Sequence, residues 1–263
     1  MYYDEILDKA DIVSGESIFI SSDIRALILK EFRKKPKINF EEYLDGFIDA
    51  LLERIGNEGT LLFPTYNWDY CNGVPFDYHN TSCKTGSLGT IALKRDDFTR
   101  TQHPLYSFAV WGKDKELLCS LTNHSSFGSD GPFGYLHHKN VKNIIIGVDY
   151  QHCFTYVHHV EEMLQAPYRY LKTFAAPYID QTGSTFSRNY SMYVRNLDMN
   201  VKVTVNPLGE ELEKKGVIKK YEVAGIPVRV LRFGDVHPYI EQDILQNRSR
   251  KLCTYIGQEK DDE

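Results

Sequence analysis

Four short apolar runs lie in the first 150 residues, and each ends in small or polar residues. The runs are SIFISSDI (17–24), GTLLFPTY (59–66), YSFAVWG (106–112) and VKNIIIGVDY (141–150). A continuous apolar run of this length, bounded by turn-forming residues, is typical of a strand buried on both faces. The pattern therefore predicts four core strands, of which the last gives the strongest signal.

Apolar residues recur at helical spacing between these strands. FEEYLDGFIDALLERIG (40–56) predicts a helix that Gly56 ends, KDKELLCSL (113–121) predicts a short helix, and 155–164 predicts another. Strands that alternate with helices indicate an α/β fold. We expect a layered sheet with mostly parallel core strands and helices on both faces.

The C-terminal third continues this pattern. KVTVNPLGEELEKKG (202–216) and YEVAGIPVRVLRFGDV (221–236) predict further strands and helices that join the same body. Neither an internal repeat nor a low-complexity linker interrupts the chain, so we expect one domain over 1–263.

Polar clusters follow three of the predicted strands. They are Ser21-Ser22, Thr65 to Asn67, and Asp149 to His159. Ligands of parallel α/β sheets bind outside the carboxyl ends of the strands, so these clusters are expected to share a site. The turn-rich segment 67–101 is also a functional candidate, because long irregular loops in compact domains are usually functional or disordered.

Composition narrows the classes of partner and compartment. The 263 residues carry a formal net charge of −5 and a pI of about 6.0, which argues mildly against nucleic acid or anionic membrane as a partner. No segment approaches the ~20 apolar residues of a membrane span, and the N-terminus lacks a secretory pattern. Five scattered cysteines without CxxC spacing are typical of reduced thiols, so we expect a cytoplasmic protein. Only GQEKDDE (257–263) has a composition typical of disorder.

The segment FTYVHHVEEML (154–164) concentrates titratable side chains. His158 and Glu161 are three residues apart and share a face of the predicted helix. Glu161 could accept a hydrogen bond from one ring nitrogen and leave the other to take a proton, as in a general base. A solvated polar helix face would give the same pattern.

Two other chemistries stay open for this stretch. A metal-dependent hydrolase built on the His152–His159 cluster would draw its ligands from His152, Cys153, His158, His159, Glu161 and Glu162. The HExxH and HxxEH orders are both absent. A thiol nucleophile would be Cys153, five residues before His158, although a cysteine at a buried strand end usually packs as a small hydrophobe.

Six short motifs occur in order along the chain. They are SS (21–22), GTLLFPT (59–65), TSC (81–83), RTQHPLYS (100–107), the Gly/Pro loop FGSDGPFG (127–134) and TYVHHVEE (155–162). In this order and spacing they resemble the aminoglycoside 3-N-acetyltransferase family, also called the antibiotic N-acetyltransferase family. The resemblance runs from about residue 17 to about residue 236.

The resemblance implies direct transfer of an acetyl group from acetyl-CoA to an amino group on a sugar ring. His158 matches the family's general base, and Glu161 matches the glutamate that holds the imidazole. His159 falls where the family usually has an apolar residue, which leaves its role open. One option is that its side chain faces solvent.

The resemblance also implies a site for the acetyl-CoA cosubstrate. Ser21 and Ser22 match the strand end that surrounds the pantetheine and thioester in the family. Thr101, His103 and Ser107 belong to the motif that lines the family's CoA site. The tetrahedral intermediate carries an oxyanion that needs N–H or hydroxyl donors, and Ser21, Ser22 and Thr101 are suitable types.

Two departures from the family pattern concern the acceptor. The Thr-Pro-Ser loop lacks its proline here, and a glutamate that commonly follows the next glycine is missing from GSLGTIALK (86–94). Because the family holds cationic substrates with acidic groups, Asp69, Asp77 and Asp198 are the substrate-binding candidates.

The predicted function is acetyl-CoA-dependent N-acetylation of an amino sugar by general-base-assisted attack. The thioester is already activated, so no metal or covalent enzyme intermediate is required. The acceptor is either an aminoglycoside antibiotic or a nucleotide-linked or glycan amino sugar in biosynthesis. A strongly acidic cleft would favour the first, and an aromatic, mixed cleft of Tyr66, Trp68, Tyr70 and Tyr78 the second. We expect a small-molecule substrate and no nucleic acid or membrane partner, and the sequence is compatible with an oligomer.

Overall fold

A computed structural model describes residues 1–256; the segment 257–263, with its prediction of disorder, lies outside the described residues. The strands of the described part are β1 (Ser17–Ser22), β2 (Thr60–Pro64), β3 (Phe76–Asp77), β4 (Thr99–Arg100), β5 (Phe108–Gly112), β6 (Lys142–Ile146), β7 (Arg169–Ile179), β8 (Thr185–Arg195), β9 (Val201–Val203), β10 (Lys219–Val223), β11 (Ile226–Arg232) and β12 (Cys253–Tyr255). The α-helices are α1 (Tyr2–Lys9), α2 (Arg25–Lys34), α3 (Phe40–Ile55), α4 (Ser87–Ala92), α5 (Lys115–Ser120), α6 (Pro132–His138), α7 (Tyr150–Cys153), α8 (Val157–Met163), α9 (Asn206–Lys214) and α10 (Phe233–Gln246).

The main sheet has seven strands in the order β10-β11-β6-β1-β2-β5-β4. Its core strands β6, β1 and β2 run parallel, with Ile20 opposite Ile144 and Phe19 opposite Leu62. The strands on either side pair antiparallel, β11 with β6 and β5 with β2. The predicted α/β fold with parallel core strands is confirmed, and all four strands predicted in the first 150 residues are present.

Helices cover both faces of this sheet, as predicted. Successive side chains of a strand point to opposite faces, so neighbours in β1 join different cores. Ile18 and Ile20 pack with the helices α1 to α4. Phe19 packs on the other face with residues of α6, α8 and α10. The two apolar layers fix the sheet between them and hold its carboxyl edge in place.

The predicted helices are present at α3, α5 and α8. α3 shows the predicted boundary signals most clearly. Asn39 caps its first turn by accepting a hydrogen bond from the backbone N–H of Glu41 (2.8 Å). Gly56 follows the last turn with φ +62°, a left-handed conformation that glycine adopts at low cost.

The chain segments that leave β1 and β6 lie against each other. The backbone N–H of Asp23 donates to the carbonyl of Ile146 (2.8 Å). Gly147 has φ +69°, and a Cβ there would lie 2.3 Å from the Asp23 carbonyl oxygen. Only glycine therefore allows the segments after β1 and β6 to pack this closely. Their contact brings the polar clusters after both strands to one edge of the sheet.

A long hairpin, β7–β8, was not predicted from the sequence. Its two strands of eleven residues pair along their whole length, from Arg169 opposite Arg195 to Ile179 opposite Thr185. With β3 it forms a second, three-stranded sheet. Tyr178 and Tyr190 of the hairpin join the core that includes α8, so the hairpin is anchored beside the predicted base. Among residues 1–256, no helix is long and apolar enough to cross a membrane.

Candidate active site

A cavity of about 430 Å³ opens at the carboxyl ends of β1, β2 and β6. It is lined by residues from the segments 19–25, 64–68, 84–87 and 148–155. The segments 19–25 and 64–68 carry the first two polar clusters, and 148–155 overlaps the first part of the third, Asp149 to His159. The three clusters therefore meet at one cavity, although His158 and His159 do not line it. The volume is in the range of small-molecule sites.

Ser21 and Ser22 line the cavity at the end of β1. Ser21 is buried, and its hydroxyl donates to the Asn143 side-chain oxygen (3.3 Å) on the neighbouring strand β6. The Ser22 side chain is only half-buried. These two positions lie where the sequence placed them.

The loop after β2 forms an aromatic wall of the cavity. Tyr66 and Trp68 line the cavity, and their rings meet edge to face at 6.5 Å between centroids. Lys84 also lines the cavity and pairs with Asp69, which follows Trp68. The wall therefore combines apolar surface with a neutralised charge pair rather than a strongly acidic surface.

His158 and Glu161 lie on one face of α8, as the three-residue spacing predicts. The imidazole Nδ1 is 2.6 Å from Glu161 Oε2. Because the carboxylate can only accept, Nδ1 carries the proton in this contact and Nε2 presents its lone pair. His158 is 22% exposed, whereas the Glu161 side chain is fully buried. A neutral imidazole held in this tautomer has the arrangement of a general base.

Two residues near the start of β7 complete the surroundings of Glu161. The Tyr168 hydroxyl donates to Glu161 Oε1 (2.5 Å). Arg169 Nε lies 2.7 Å from Glu161 Oε2 in a buried ion pair, although its N–H does not point along a hydrogen bond. Burial opposes the charge of Glu161, but His158, Arg169 and Tyr168 together hold its pKa below the usual range. Glu161 is therefore a fixed carboxylate.

The same neighbours set the pKa of His158. Burial lowers it first, and the positive charge of Arg169 lowers it further. The Glu161 carboxylate acts in the opposite direction, and the net pKa stays below the ordinary value of 6.5. His158 is consequently neutral, and able to accept a proton, at neutral pH.

A series of ring contacts connects the cavity wall to His158. Tyr66 packs on Tyr106 with centroids 4.6 Å apart, and Tyr106 packs on Phe127 at 4.6 Å. Phe127 in turn lies 5.3 Å from the His158 ring. Thr155, three residues before His158, lines the cavity itself. The candidate base is thus connected to the aromatic side of the cavity through Tyr106 and Phe127, and it does not itself line the cavity.

Thr101, His103 and Ser107 are buried and do not line this cavity. The Thr101 hydroxyl accepts from the backbone N–H of Phe108 (2.9 Å), and Ser107 donates to the Thr65 carbonyl (2.9 Å). His103 Nδ1 accepts from the backbone of Leu105 (3.3 Å), and burial lowers its pKa to about 3. Their predicted contact with the cosubstrate stays a prediction, and their observed contacts hold the loops behind the cavity.

The three acidic candidates for the acceptor are dispersed. Asp69 lies beside the cavity but is paired with Lys84. Asp77 accepts from the Asn80 side-chain amide and from the backbone N–H groups of His79 and Asn80, and these hydrogen bonds lower its pKa. Asp198 is exposed in a short 3₁₀ turn, Leu197–Met199. The structure does not bring these three carboxylates together, and their substrate contacts stay predictions.

The alternative chemistries gain no support from the geometry. His152 is exposed and pairs with Asp149 (2.5 Å), while His159 Nδ1 lies 2.7 Å from the Phe127 carbonyl. No group of three or more His, Cys, Asp or Glu within residues 1–256 has metal-site geometry. Cys153 lines the cavity, but burial raises the pKa of its thiol far above neutrality, which disfavours a thiolate nucleophile.

His159 does not face solvent, which was one of the positions left open. It is 3% exposed and packs near His137 and His237, at 6.1 and 6.4 Å between ring centroids. Burial lowers its pKa to about 4. A neutral imidazole can replace an apolar residue here because its one required hydrogen bond reaches the Phe127 carbonyl.

Sequence patterns did not identify Tyr168 and Arg169 as partners of Glu161. They lie at the start of the unpredicted hairpin, seven and eight residues after Glu161, and α8 ends before both, so helical spacing does not relate them to it. Glu162 was considered only as a metal ligand. One of its carboxylate oxygens, Oε2, is buried without a partner, and burial raises its pKa. An acidic residue four positions after His158 on a helix is the signal that could have identified it.

Comparisons with known proteins place this chain among acetyltransferases in sequence and fold. The profile of the aminoglycoside 3-N-acetyltransferase family matches residues 34–243. A curated relative, the SPbeta prophage-derived aminoglycoside N(3')-acetyltransferase-like protein YokD of Bacillus subtilis strain 168, is 23% identical over 232 residues. That alignment covers 78% of this chain and 80% of the relative.

Solved structures share the fold at low sequence identity. The crystal structure of YokD from Bacillus subtilis superposes with a TM-score of 0.75 at 18% identity, over 95% of this chain and 94% of YokD. AAC-IIIb, solved as a binary complex with CoASH, gives 0.73 at 16% identity over 91% and 93% of the two chains. Sisomicin-bound AAC-VIa gives 0.75 at 17% identity over 91% and 96%.

The family match begins at the last residue of α2 and ends within α10. It includes the aromatic wall, the His158–Glu161 pair and the later parts of the cavity lining, whereas the lining from β1 and the start of α2 precedes it. It confirms the family that the six motifs indicated. The chain belongs to the aminoglycoside 3-N-acetyltransferase family, a family of acyltransferases.

Proposed function

We propose that this protein transfers an acetyl group from acetyl-CoA to an amine of an amino sugar. The observation that carries the proposal is the His158–Glu161 pair, in which a buried carboxylate fixes a neutral imidazole with one free ring nitrogen. The pair lies beside a cavity of suitable size at the carboxyl edge of the sheet. A relative with this fold, AAC-IIIb, has been solved with CoASH, which supports the choice of acyl donor.

The cavity is suited to the thioester end of acetyl-CoA, the acyl-donating substrate. Ser21, Ser22 and the aromatic wall provide hydroxyl groups and apolar surface. Arg25 in the first turn of α2 and Lys84 are the positive side chains of the lining, and both have acidic partners nearby. Positive groups at a helix N-terminus favour phosphate oxygens.

The proposed step is a direct acyl transfer. The unprotonated substrate amine attacks the thioester carbonyl carbon while His158 Nε2 takes a proton from that nitrogen. The carbonyl π electrons move to oxygen and return when the C–S bond breaks. The departing thiolate takes up the proton, which yields the N-acetyl product and CoA. Glu161 keeps the imidazole in the required tautomer and stabilises its positive charge.

Thr101, His103 and Ser107 act as supports in this proposal. The Ser107 hydroxyl links Arg100 Nε (3.0 Å), on β4, to the Thr65 carbonyl, which leads into the aromatic wall. Because each of the three side chains already has a hydrogen-bond partner in the backbone, we infer that they position the wall rather than bind the cosubstrate directly.

The identity of the amine acceptor has two candidates. Glu162, with its buried unpartnered oxygen, is a candidate partner for a substrate ammonium group, which favours an aminoglycoside and hence antibiotic resistance. The aromatic, charge-balanced wall of Tyr66, Trp68 and the Asp69–Lys84 pair favours the other candidate, a neutral or nucleotide-linked amino sugar. Tyr70 and Tyr78 do not line this wall, since their hydroxyls bond backbone carbonyls in the interior.

The test is thiol release from acetyl-CoA with a panel of acceptors. The panel contains sisomicin, kanamycin and several nucleotide-linked amino sugars. We expect acceptor-dependent release, and a loss of about 10²- to 10⁴-fold in kcat for His158→Ala. His138→Ala, an exposed histidine on α6, is the matched control and should retain full activity. Absence of acceptor-dependent release, or turnover that survives His158→Ala, would contradict the proposal.

A further inference from the structure

The hydroxyl of Tyr66 has no hydrogen-bond partner among the described residues, although it is buried. The side chain is only 3% exposed and lines the cavity. A buried hydroxyl that loses water without gaining a partner costs about 1–3 kcal/mol, so native proteins rarely leave one unmatched. At the wall of a ligand cavity, an unmatched hydroxyl is explained by a ligand that supplies the partner.

Tyr66 is held rigidly, which excludes a simple rotation toward a protein partner. Its backbone N–H donates to Thr85 Oγ1 (3.0 Å), and its carbonyl accepts from the Lys84 N–H (2.9 Å). Its ring packs on Tyr106 at 4.6 Å and edge to face on Phe108 at 5.5 Å. The hydroxyl is therefore fixed in direction before any ligand binds.

The hydroxyl is a donor rather than an anion. Burial raises the pKa of Tyr66 well above its ordinary value, and nearby Tyr106, Cys83 and Cys153 raise it further. A neutral phenol without a hydrogen-bond partner has its proton available for an acceptor. The natural complement is an oxygen that gains negative charge.

The other hydroxyls suggested by the sequence are less available. Ser21 already donates to Asn143, and Thr101 is buried behind β5. Ser22 remains available beside Tyr66 on the cavity lining. Tyr66 also belongs to the ring series that leads to His158, so one wall carries both the candidate donor and the approach to the base.

We propose that the Tyr66 hydroxyl donates a hydrogen bond to the thioester carbonyl oxygen, and that this hydrogen bond becomes stronger as the oxygen becomes an oxyanion. The inference rests on the proposed acetyl transfer. As the amine nitrogen forms its bond to the carbonyl carbon, the π pair moves onto the oxygen that Tyr66 contacts. When that pair re-forms the C=O bond, the C–S bond breaks, and the thiolate takes the proton that the amine gave to His158. Tyr66 keeps its own proton throughout.

The test compares Tyr66→Phe with Tyr43→Phe. Tyr43, on α3, has the other fully buried tyrosine hydroxyl without a partner in the described chain, and it lies in the core on the opposite face of the sheet. Both substitutions remove one unmatched oxygen, so neither should lower the melting temperature of the ligand-free protein. Only Tyr66→Phe should change the reaction.

We expect Tyr66→Phe to lower kcat by about 10²-fold, with the KM for acetyl-CoA nearly unchanged, as for other oxyanion donors. The carbonyl stretch of bound, ¹³C-labelled acetyl-CoA should lie at lower frequency in the wild type and in Tyr43→Phe than in Tyr66→Phe. The infrared readout needs no acceptor and therefore works even if the acceptor is misassigned.

Two results would overturn the inference while leaving acetyl transfer intact. One is a Tyr66→Phe protein with wild-type kcat and an unshifted carbonyl band. The other is a raised KM with normal kcat, which would place the hydroxyl on another part of the cosubstrate. Loss of acetyl transfer in the wild type would instead contradict the proposed function itself.

Discussion

At the scale of single residues, burial and two charged neighbours have opposite effects on the pKa of the candidate base. Burial and Arg169 lower the pKa of His158, and Glu161 raises it. Arg169 and Tyr168 also keep Glu161 ionised in a buried position. A buried carboxylate with one charged partner and two further contacts is stable only as a group, so these residues should be treated as one unit.

The pH dependence of kcat/KM should reveal this unit. Protonated His158 cannot accept a proton, so activity should fall on the acid side as pH drops through the His158 pKa. Because that pKa is lowered, the midpoint should lie below 6.5. Glu161→Gln removes the contribution that raises the pKa, so the acid limb should move to still lower pH while the plateau decreases. Initial rates between pH 4.5 and 8.5 provide the measurement.

The comparison requires folded protein, because Glu161→Gln leaves the buried Arg169 charge without its partner. Melting curves should accompany each profile, and the exposed pair His152–Asp149 provides a control in Asp149→Asn. An acid limb that is unchanged in Glu161→Gln would mean that this carboxylate does not tune the base.

At the scale of elements, the loops behind the cavity depend on one hydroxyl. Ser107 begins the chain into β5 and has contacts with Thr65 after β2 and Arg100 in β4. Burial lowers the pKa of Arg100 to about 10, and its guanidinium group is held by carbonyls and this hydroxyl. The network joins β2, β4 and β5 where the aromatic wall begins.

Ser107→Ala should lower the free energy of unfolding by about 1–3 kcal/mol, because it leaves buried partners unsatisfied. The KM for acetyl-CoA should change little if Ser107 is a support, as proposed. Denaturant unfolding and steady-state kinetics measure the two effects separately. Ser120→Ala, which removes an exposed hydroxyl at the end of α5, should alter neither. A large rise in KM at unchanged stability would restore the direct cosubstrate contact.

At the scale of the whole molecule, buried histidines link stability to pH. Burial lowers the pKa of His103 to about 3 and of His159 to about 4, and it also lowers the pKa values of His137 and His237. The unfolded chain takes up protons at these sites below about pH 6.5, whereas the folded chain does not until lower pH. Stability is therefore full above about pH 6.5 and decreases as the pH falls toward 4.

His159→Gln should flatten this dependence, since an amide can donate to the Phe127 carbonyl without titrating. We expect a smaller loss in melting temperature between pH 7 and pH 4.5 than in the wild type. His138→Gln changes an exposed histidine and should leave the slope unchanged. A slope in His159→Gln equal to that of the wild type would assign the acid sensitivity to other groups.

Local sequence determined the core of the fold. The apolar runs at β1, β2, β5 and β6 and the periodic helix α3 are recognisable because burial imposes fixed spacings on short segments. The His158–Glu161 contact was predictable for the same reason, since residues three apart meet on any helix.

Tertiary structure decided what spacing cannot encode. The hairpin β7–β8 delivers Tyr168 and Arg169 to Glu161, and long-range packing buries His159, which could also have faced solvent. Thr101, His103 and Ser107 belong to one sequence motif, but only the fold shows that their partners are the Phe108 N–H, the Leu105 N–H and the Thr65 carbonyl. The unmatched Tyr66 hydroxyl is likewise invisible in the sequence. Whether a buried polar atom has a hydrogen-bond partner depends on residues far along the chain, and these come together only when the chain folds.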